Sequence, residues 1–249
     1  IRIAFPIINS AGEAAAYGET FFAVSDDTME DTRKTVIRAT AAAVGIVMLT
    51  AIVLYPIIIQ LINRLEALSR KLLDANMTVL KVLGSAVAKR DSDTDLHNYR
   101  VTIYAVRLAE AIGLDDASIR VLIKGAFLHD VGKIGVQDAI LHKPGQLNTE
   151  EYEDMKRHVS YGLDIIGNSQ WLADAADVVG GHHERFDGSG YDQAVSGMDI
   201  PVIARIFSIA DVFDALTSKR PYKEPFGFEQ TMAILEKGRG KDFDPELLD

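Results

Sequence analysis

One stretch limits what this chain can become more than any other. Ala39 to Asn63, "ATAAAVGIVMLTAIVLYPIIIQLIN", holds no Asp, Glu, Lys or Arg and is bounded by Arg38 and Arg64. A bilayer's hydrocarbon core asks for about 20 apolar residues in a helix, whereas the alternative, a buried core helix, seldom stays apolar on every face for this length. Residues 37–63 are therefore read as a transmembrane helix. Pro56 is compatible with that reading, since membrane helices tolerate proline. The internal position and the lack of a small-residue cleavage site speak against a cleaved signal peptide. Basic residues flank both sides, with Arg33, Lys34 and Arg38 before and Arg64, Arg70 and Lys71 after, so charge asymmetry gives little guide to orientation.

The remaining residues divide around the span. Residues 1–36 combine an apolar opening, "IRIAFPII", a glycine-containing hairpin-like piece and an acidic run at Asp26, Asp27, Glu30 and Asp31. They are too few for a core of their own and read as the membrane-proximal tail of an extracytoplasmic sensor domain. In residues 64–88, a linker helix continues the seam of Leu61, Leu65, Leu68, Leu72, Ala75, Val79, Val82 and Ala86, spaced alternately by four and three. That is the heptad spacing of paired helices. Two readings fit it: a parallel homodimeric signalling helix, or one amphipathic helix packed on its own domain.

From Met77 to Asp249 the pattern is helix after helix, with segments expected at Asp95–Ala111 behind a Ser92–Asp95 capping box, Asp116–Leu128, Thr149–Ile166, Ser169–Val179, Pro201–Thr217 and Phe228–Glu236. The fold class expected is all-α. A formal charge of −10 argues against a broad nucleic-acid-binding face, and a chain without cysteine must build any metal site from nitrogen and oxygen.

Six histidines are present: His97, His129, His142, His158, His182 and His183. His129 and Asp130 close the apolar helix "IRVLIKGAFLHD", and Asp211 follows "IPVIARIFSIA". A polar group delivered into a core needs hydrogen bonds or a metal. Imidazoles with carboxylates suit divalent transition ions such as iron, manganese, zinc, nickel or cobalt. Two such ions about 3.5 to 4 Å apart can share a carboxylate and generate hydroxide for in-line attack on phosphorus, which suggests phosphoester hydrolysis.

Three motifs now carry a resemblance: "HDVGK" from His129, "HHERFDGSGY" from His182 and "ADVFDALTSKRPYK" from Ala210. Together they resemble the HD-GYP family, bacterial phosphodiesterases of the HD phosphohydrolase group that cleave cyclic di-GMP. The resemblance covers residues 77–249 and implies an HD-domain helical bundle there. It implies two divalent ions, iron or manganese. His97, His129, Asp130 and Asp211 would hold one, and Asp130 would bridge to a second held by His158, His182 and His183. His142 matches no ligand position. Some family members bind a third metal through a residue at the position of Asp93, which also reads as a first-turn aspartate favoured by the helix dipole.

Lys133 matches a lysine that contacts the scissile phosphate, with a surface lysine as the plainer reading. Arg220 and Lys223 match residues that grip the dinucleotide, with an ordinary loop as the alternative. Glu184 and Asp187 are expected to orient ligating imidazoles from behind. The family's Gly-Tyr-Pro is here Gly190, Tyr191 and Asp192, so a diguanylate cyclase partner, linked in the family to that motif, is only weakly implied.

The function expected is hydrolysis of cyclic di-GMP to pGpG and on to GMP, by a protein of the bacterial inner membrane whose catalytic domain faces the cytoplasm. Two alternatives stand beside it: an HD phosphohydrolase for another cyclic dinucleotide or nucleotide, and a catalytically silent nucleotide receptor.

Overall fold

A computed structural model describes residues 2–21, 23–91, 95–219 and 224–249. Backbone contacts separate the chain into two units, residues 1–71 and 72–249.

The first unit opens with an antiparallel hairpin of β1 (Arg2–Ile8) and β2 (Ala14–Phe21). Its turn is closed by Asn9, whose side-chain oxygen accepts from the Ala11 and Glu13 amides at 2.9 Å each. Such side chain to backbone bonding is the usual reason for asparagine in turns. After the hairpin, α1 runs unbroken from Asp26 to Arg90. The acidic run assigned above to a separate tail forms the first turns of this helix, where carboxylates suit the positive end of the helix dipole. Span and linker are likewise one element, with Pro56 inside it. Among the described residues this is one helix long and apolar enough to cross a membrane, by length and composition.

The second unit is a helical bundle. It comprises the C-terminal part of α1, then α2 (Asp95–Ala111), α3 (Asp116–Leu128), α4 (Asp138–Leu141), α5 (Thr149–Lys156), α6 (His158–Gly167), α7 (Ala176–Gly181), α8 (Val202–Thr217) and α9 (Phe228–Lys237). Asp115 caps α3 by accepting from the Ser118 amide, and Asn148 and Glu151 form a reciprocal capping box on α5. Two expected helices are corrected. Thr149–Ile166 is two helices that re-aim at Arg157, where the Met155 carbonyl is engaged by the His158 imidazole. In the expected Ser169–Val179 helix, a short 3-10 turn at Ala173–Ala175 precedes α7, which starts only at Ala176.

The core lies between α2, α3, α7 and α8, through Val101, Leu122, Ala126, Val178, Ile206 and Phe207. A second cluster joins Leu80 and Val87 of α1 to Phe127, Leu128, Val131 and Ile166. The last turns of α1 are thus part of the bundle's interior. Residues 80, 84, 87 and 88 face inward, whereas the seam residues Leu72, Val79 and Val82 stay exposed. At about 100° per residue, the two faces lie about 130° apart around the helix.

Candidate metal centre

Each histidine that meets at the centre of the bundle is delivered by a helix end or by an inward helix face. His97 lies on α2, His129 just past α3, His158 at the start of α6, His182 just past α7, and Asp211 on α8. They collect into two sets whose donor atoms lie within 4.8 Å of one another: His97 with His129 and Asp211, and His158 with His182 and His183. Asp130 stands between the sets. Its Oδ2 is 3.0 Å from His129 Nε2 and its Oδ1 is 3.6 Å from His158 Nε2. His142 is exposed, at the end of α4.

The ring nitrogens facing away from the centre have fixed partners. His129, His158 and His182 bond through Nδ1 to the carbonyls of Ala126, Met155 and Val179, each three residues earlier, at 2.8 to 2.9 Å. A carbonyl only accepts, so Nδ1 carries the proton and, in a neutral ring, Nε2 is a lone pair. The Nε2 atoms of His158 and His182 then face each other at 3.3 Å. Two buried lone pairs at that distance call for a cation between them, and at His129 the Nε2 facing the Asp130 carboxylate takes a proton or a cation. The donor set therefore fits divalent metal ions.

The electrostatics keep three of these rings neutral. Burial and the neighbouring His129 push His182 down to about 3, and burial also lowers His183 and His158. Burial works against His129 as well, but Asp130 and Asp211 outweigh it and hold that ring above its ordinary value. For Asp130, burial is outweighed by Lys133 and His129, which keep the carboxyl well below the usual carboxylate range. Lys133 donates to Asp130 at 2.8 Å and to Asp91 at 2.6 Å, and these carboxylates raise its pKa despite burial.

Two expected supporters are corrected. Glu184 is buried, but its Oε1 accepts from the Gln193 and Ala194 amides rather than from an imidazole. Asp187 accepts from the Ser189 amide in an exposed turn. Both organise the loop after His183. Gly190 lies so close to Glu184 there that a Cβ would come within 2.5 Å of its backbone. The carboxylate that does support an imidazole is Asp214. It lies 2.7 Å from His97 Nδ1 and accepts from Arg100 at 2.5 and 2.9 Å, and it is lowered to about 2 once His97 and Arg100 overcome its burial. Its i+3 spacing from Asp211 is the signal that would have found it.

Tyr191 was also missed. Its ring stacks on His183, with centroids 4.6 Å apart, and Lys156 lies over it at 5.7 Å. The following Asp192 has φ +96, a torsion closed to proline, whose ring holds φ near −65°. The loop thus has a path that the family's Gly-Tyr-Pro cannot follow. Asp93, Arg220 and Lys223 lie outside the described residues.

Compared with known proteins, the chain matches the HD domain family over residues 81–247. It is 42% identical over 169 residues to a 3′3′-cGAMP-specific phosphodiesterase of Vibrio cholerae, covering 67% of this chain and 32% of that protein. It is 39% identical to the cyclic di-GMP phosphodiesterase response regulator RpfG of Xanthomonas campestris, covering 77% and 51%. It is 40% identical to a cyclic di-GMP phosphodiesterase of Thermotoga maritima, covering 69% and 47%. The chain thus spans a third to a half of the length of these relatives. Its fold is similar to the crystal structure of a cyclic GMP-AMP-specific phosphodiesterase from V. cholerae, with TM-score 0.55 at 15% identity, covering 68% of this chain and 46% of that one. With well over half its residues matched and the histidine cluster at the centre of the matched region, the chain belongs to the HD domain family.

Proposed function

We propose that this chain is the catalytic part of a metal-dependent phosphodiesterase that hydrolyses cyclic di-GMP to pGpG and on to GMP. The observation that carries the reading is the pair of facing lone pairs on His158 and His182, beside a carboxylate, Asp130, that offers one oxygen to each donor set. His97, His129, Asp130 and Asp211 would hold one divalent ion, and Asp130, His158, His182 and His183 a second, with iron or manganese suited to such donors. When bound, such a pair supplies Lewis acidity and lowers the pKa of water.

The protein's own groups do the rest. Asp130 aligns the two donor sets, and its ionised state is secured by Lys133. The Lys133 ammonium, held charged, meets the phosphate charge that builds in the transition state. Arg220 and Lys223 are proposed to grip the dinucleotide, and Asp93 to serve any third ion. A substrate made in the cytoplasm places the bundle there, with α1 crossing the inner membrane and residues 1–36 on the far side. The exposed seam of Leu65, Leu68, Leu72, Val79 and Val82 pairs with a second copy of the chain.

A second reading, 3′3′-cGAMP as substrate, is favoured by the 42% identity to an enzyme named for that substrate. The test offers manganese- or ferrous-loaded protein both dinucleotides and separates the products by chromatography, with His182→Ala as control. Linear pGpG from wild type and none from the variant is expected. Turnover of 3′3′-cGAMP alone selects the second reading. Tight binding with no product from either dinucleotide would make the protein a receptor.

A further inference from the structure

The C-terminal end of α1 grips the turn that carries Lys133. Arg90 donates to the backbone carbonyls of Lys133 at 2.8 Å, Ile134, and Val136 at 2.6 Å, and to the Asp138 carboxylate at 2.8 Å. The next residue, Asp91, accepts from the Lys133 ammonium. On its opposite side the same turn, Val131–Gly135, is pressed against α6. A Cβ on Gly132 would stand 1.8 Å from the His158 carbonyl oxygen, so the turn cannot retreat that way. Three carbonyls and a carboxylate converging on one guanidinium suit its rigid fork of five donors, which a lysine ammonium cannot reproduce.

Asp130 adjoins this turn, but the imidazoles of the metal centre do not share the dependence. His129, His158 and His182 are oriented by carbonyls of their own helix ends, and His97 by Asp214. Removing Arg90 therefore releases the turn and leaves the imidazoles where they are, with Asp130 still held beside His129 at 3.0 Å.

We propose that Arg90 is a positioning residue, which fixes the Val131–Gly135 turn and through it sets the Lys133 ammonium at the metal centre, so that the last turn of α1 governs turnover. This rests on the role proposed above for Lys133, and it adds that the helix leading into the bundle controls that role. A small displacement of a charge-stabilising group is enough, since a shift of about 1 Å can cost about 100-fold in rate.

The test uses the full chain in detergent, manganese-loaded, with cyclic di-GMP or 3′3′-cGAMP, whichever wild type hydrolyses. Single turnovers are followed at excess enzyme so that slow variants stay measurable. Arg90→Ala should lower the rate at saturation by about 30- to 100-fold, leave half-saturation within about threefold and retain wild-type manganese content. Arg90→Lys should recover only part of the loss, and it replaces Arg90→Ala if the latter does not fold. The double variant Arg90→Ala/Lys133→Ala should be no slower than Lys133→Ala, because both changes remove one function. If the losses multiply, if manganese is lost, or if Arg90→Ala keeps the wild-type rate, the positioning role is wrong while Lys133 keeps its own. A wild-type rate in Lys133→Ala removes the role of Lys133 and this one with it. Failure of wild type to turn over either dinucleotide removes the underlying function and this proposal together.

Discussion

Three of the imidazoles take their orientation from the ends of the helices that deliver them. His129 follows α3, His158 follows α5 by one residue and His182 follows α7, and each bonds a carbonyl in the last turn of that helix. Carbonyls in a helix's last turn lie past the regular amide ladder and are open to a side-chain donor. Sequence reasoning looked instead for remote carboxylates and chose Glu184 and Asp187, because a backbone partner leaves no mark in side-chain spacing. The arrangement has a pH signature in protein stripped of metal. Burial holds His182 near 3 and depresses His158 and His183, while in the unfolded chain all three titrate at about 6.5. Below about pH 6.5 the unfolded state binds more protons, so stability falls as pH drops, by up to about 1.4 kcal/mol per unit for each group. His129, raised in the fold, opposes this, since its contribution is present below its unfolded value. Three groups against one give a net loss. The melting temperature of the stripped protein should fall between pH 7 and pH 5, and His182→Ala should show a shallower slope. A melting temperature that stayed level or rose on acidification would contradict this account of the burial.

At the scale of elements, α1 separates what the sequence left joined. The seam was legible because Leu61 to Ala86 alternate by four and three. The opposite face was not, since its buried residues include Gly84 and Ala88 beside Leu80 and Val87, and small residues add little to a hydrophobic period. Packing on the bundle therefore uses a different face from the one proposed for pairing with a second copy. Leu80→Ala removes a fully buried side chain and should lower the unfolding free energy by about 2 to 5 kcal/mol. Val82→Ala, on the exposed seam, should change it by less than about 0.5 kcal/mol and weaken self-association. Denaturant titration reads the first effect and sedimentation in detergent the second. Equal effects of both changes on unfolding would mean that one face does both jobs.

On the scale of the molecule, the helical class and most helix positions could be read from periodicity and caps, whereas the assembly of the centre could not. His97 meets Asp214 across 117 residues, and no local spacing encodes that meeting. The donor set came from resemblance to a family, and Asp91 and the stacking of Tyr191 on His183 became visible only when the helices were packed. The same packing fixes where the chain can be cut. A protein comprising residues 72–249 keeps Leu80 and Val87 in the interior and should unfold in one cooperative transition. One comprising residues 91–249 exposes Leu128, Val131 and Ile166 and should lose that transition by near-ultraviolet circular dichroism. A cooperative transition in the shorter protein would show the helix to be dispensable. The long helix that enters the bundle without a break also bears on how such proteins recombine. Whatever is spliced upstream joins through a helical phase, with each added residue turning the join by about 100° and seven returning it to within about 20°. Fusions that change the length by sevens keep the rotational setting of what is joined, and other lengths turn it, so building on this helix is a question of register as much as of parts.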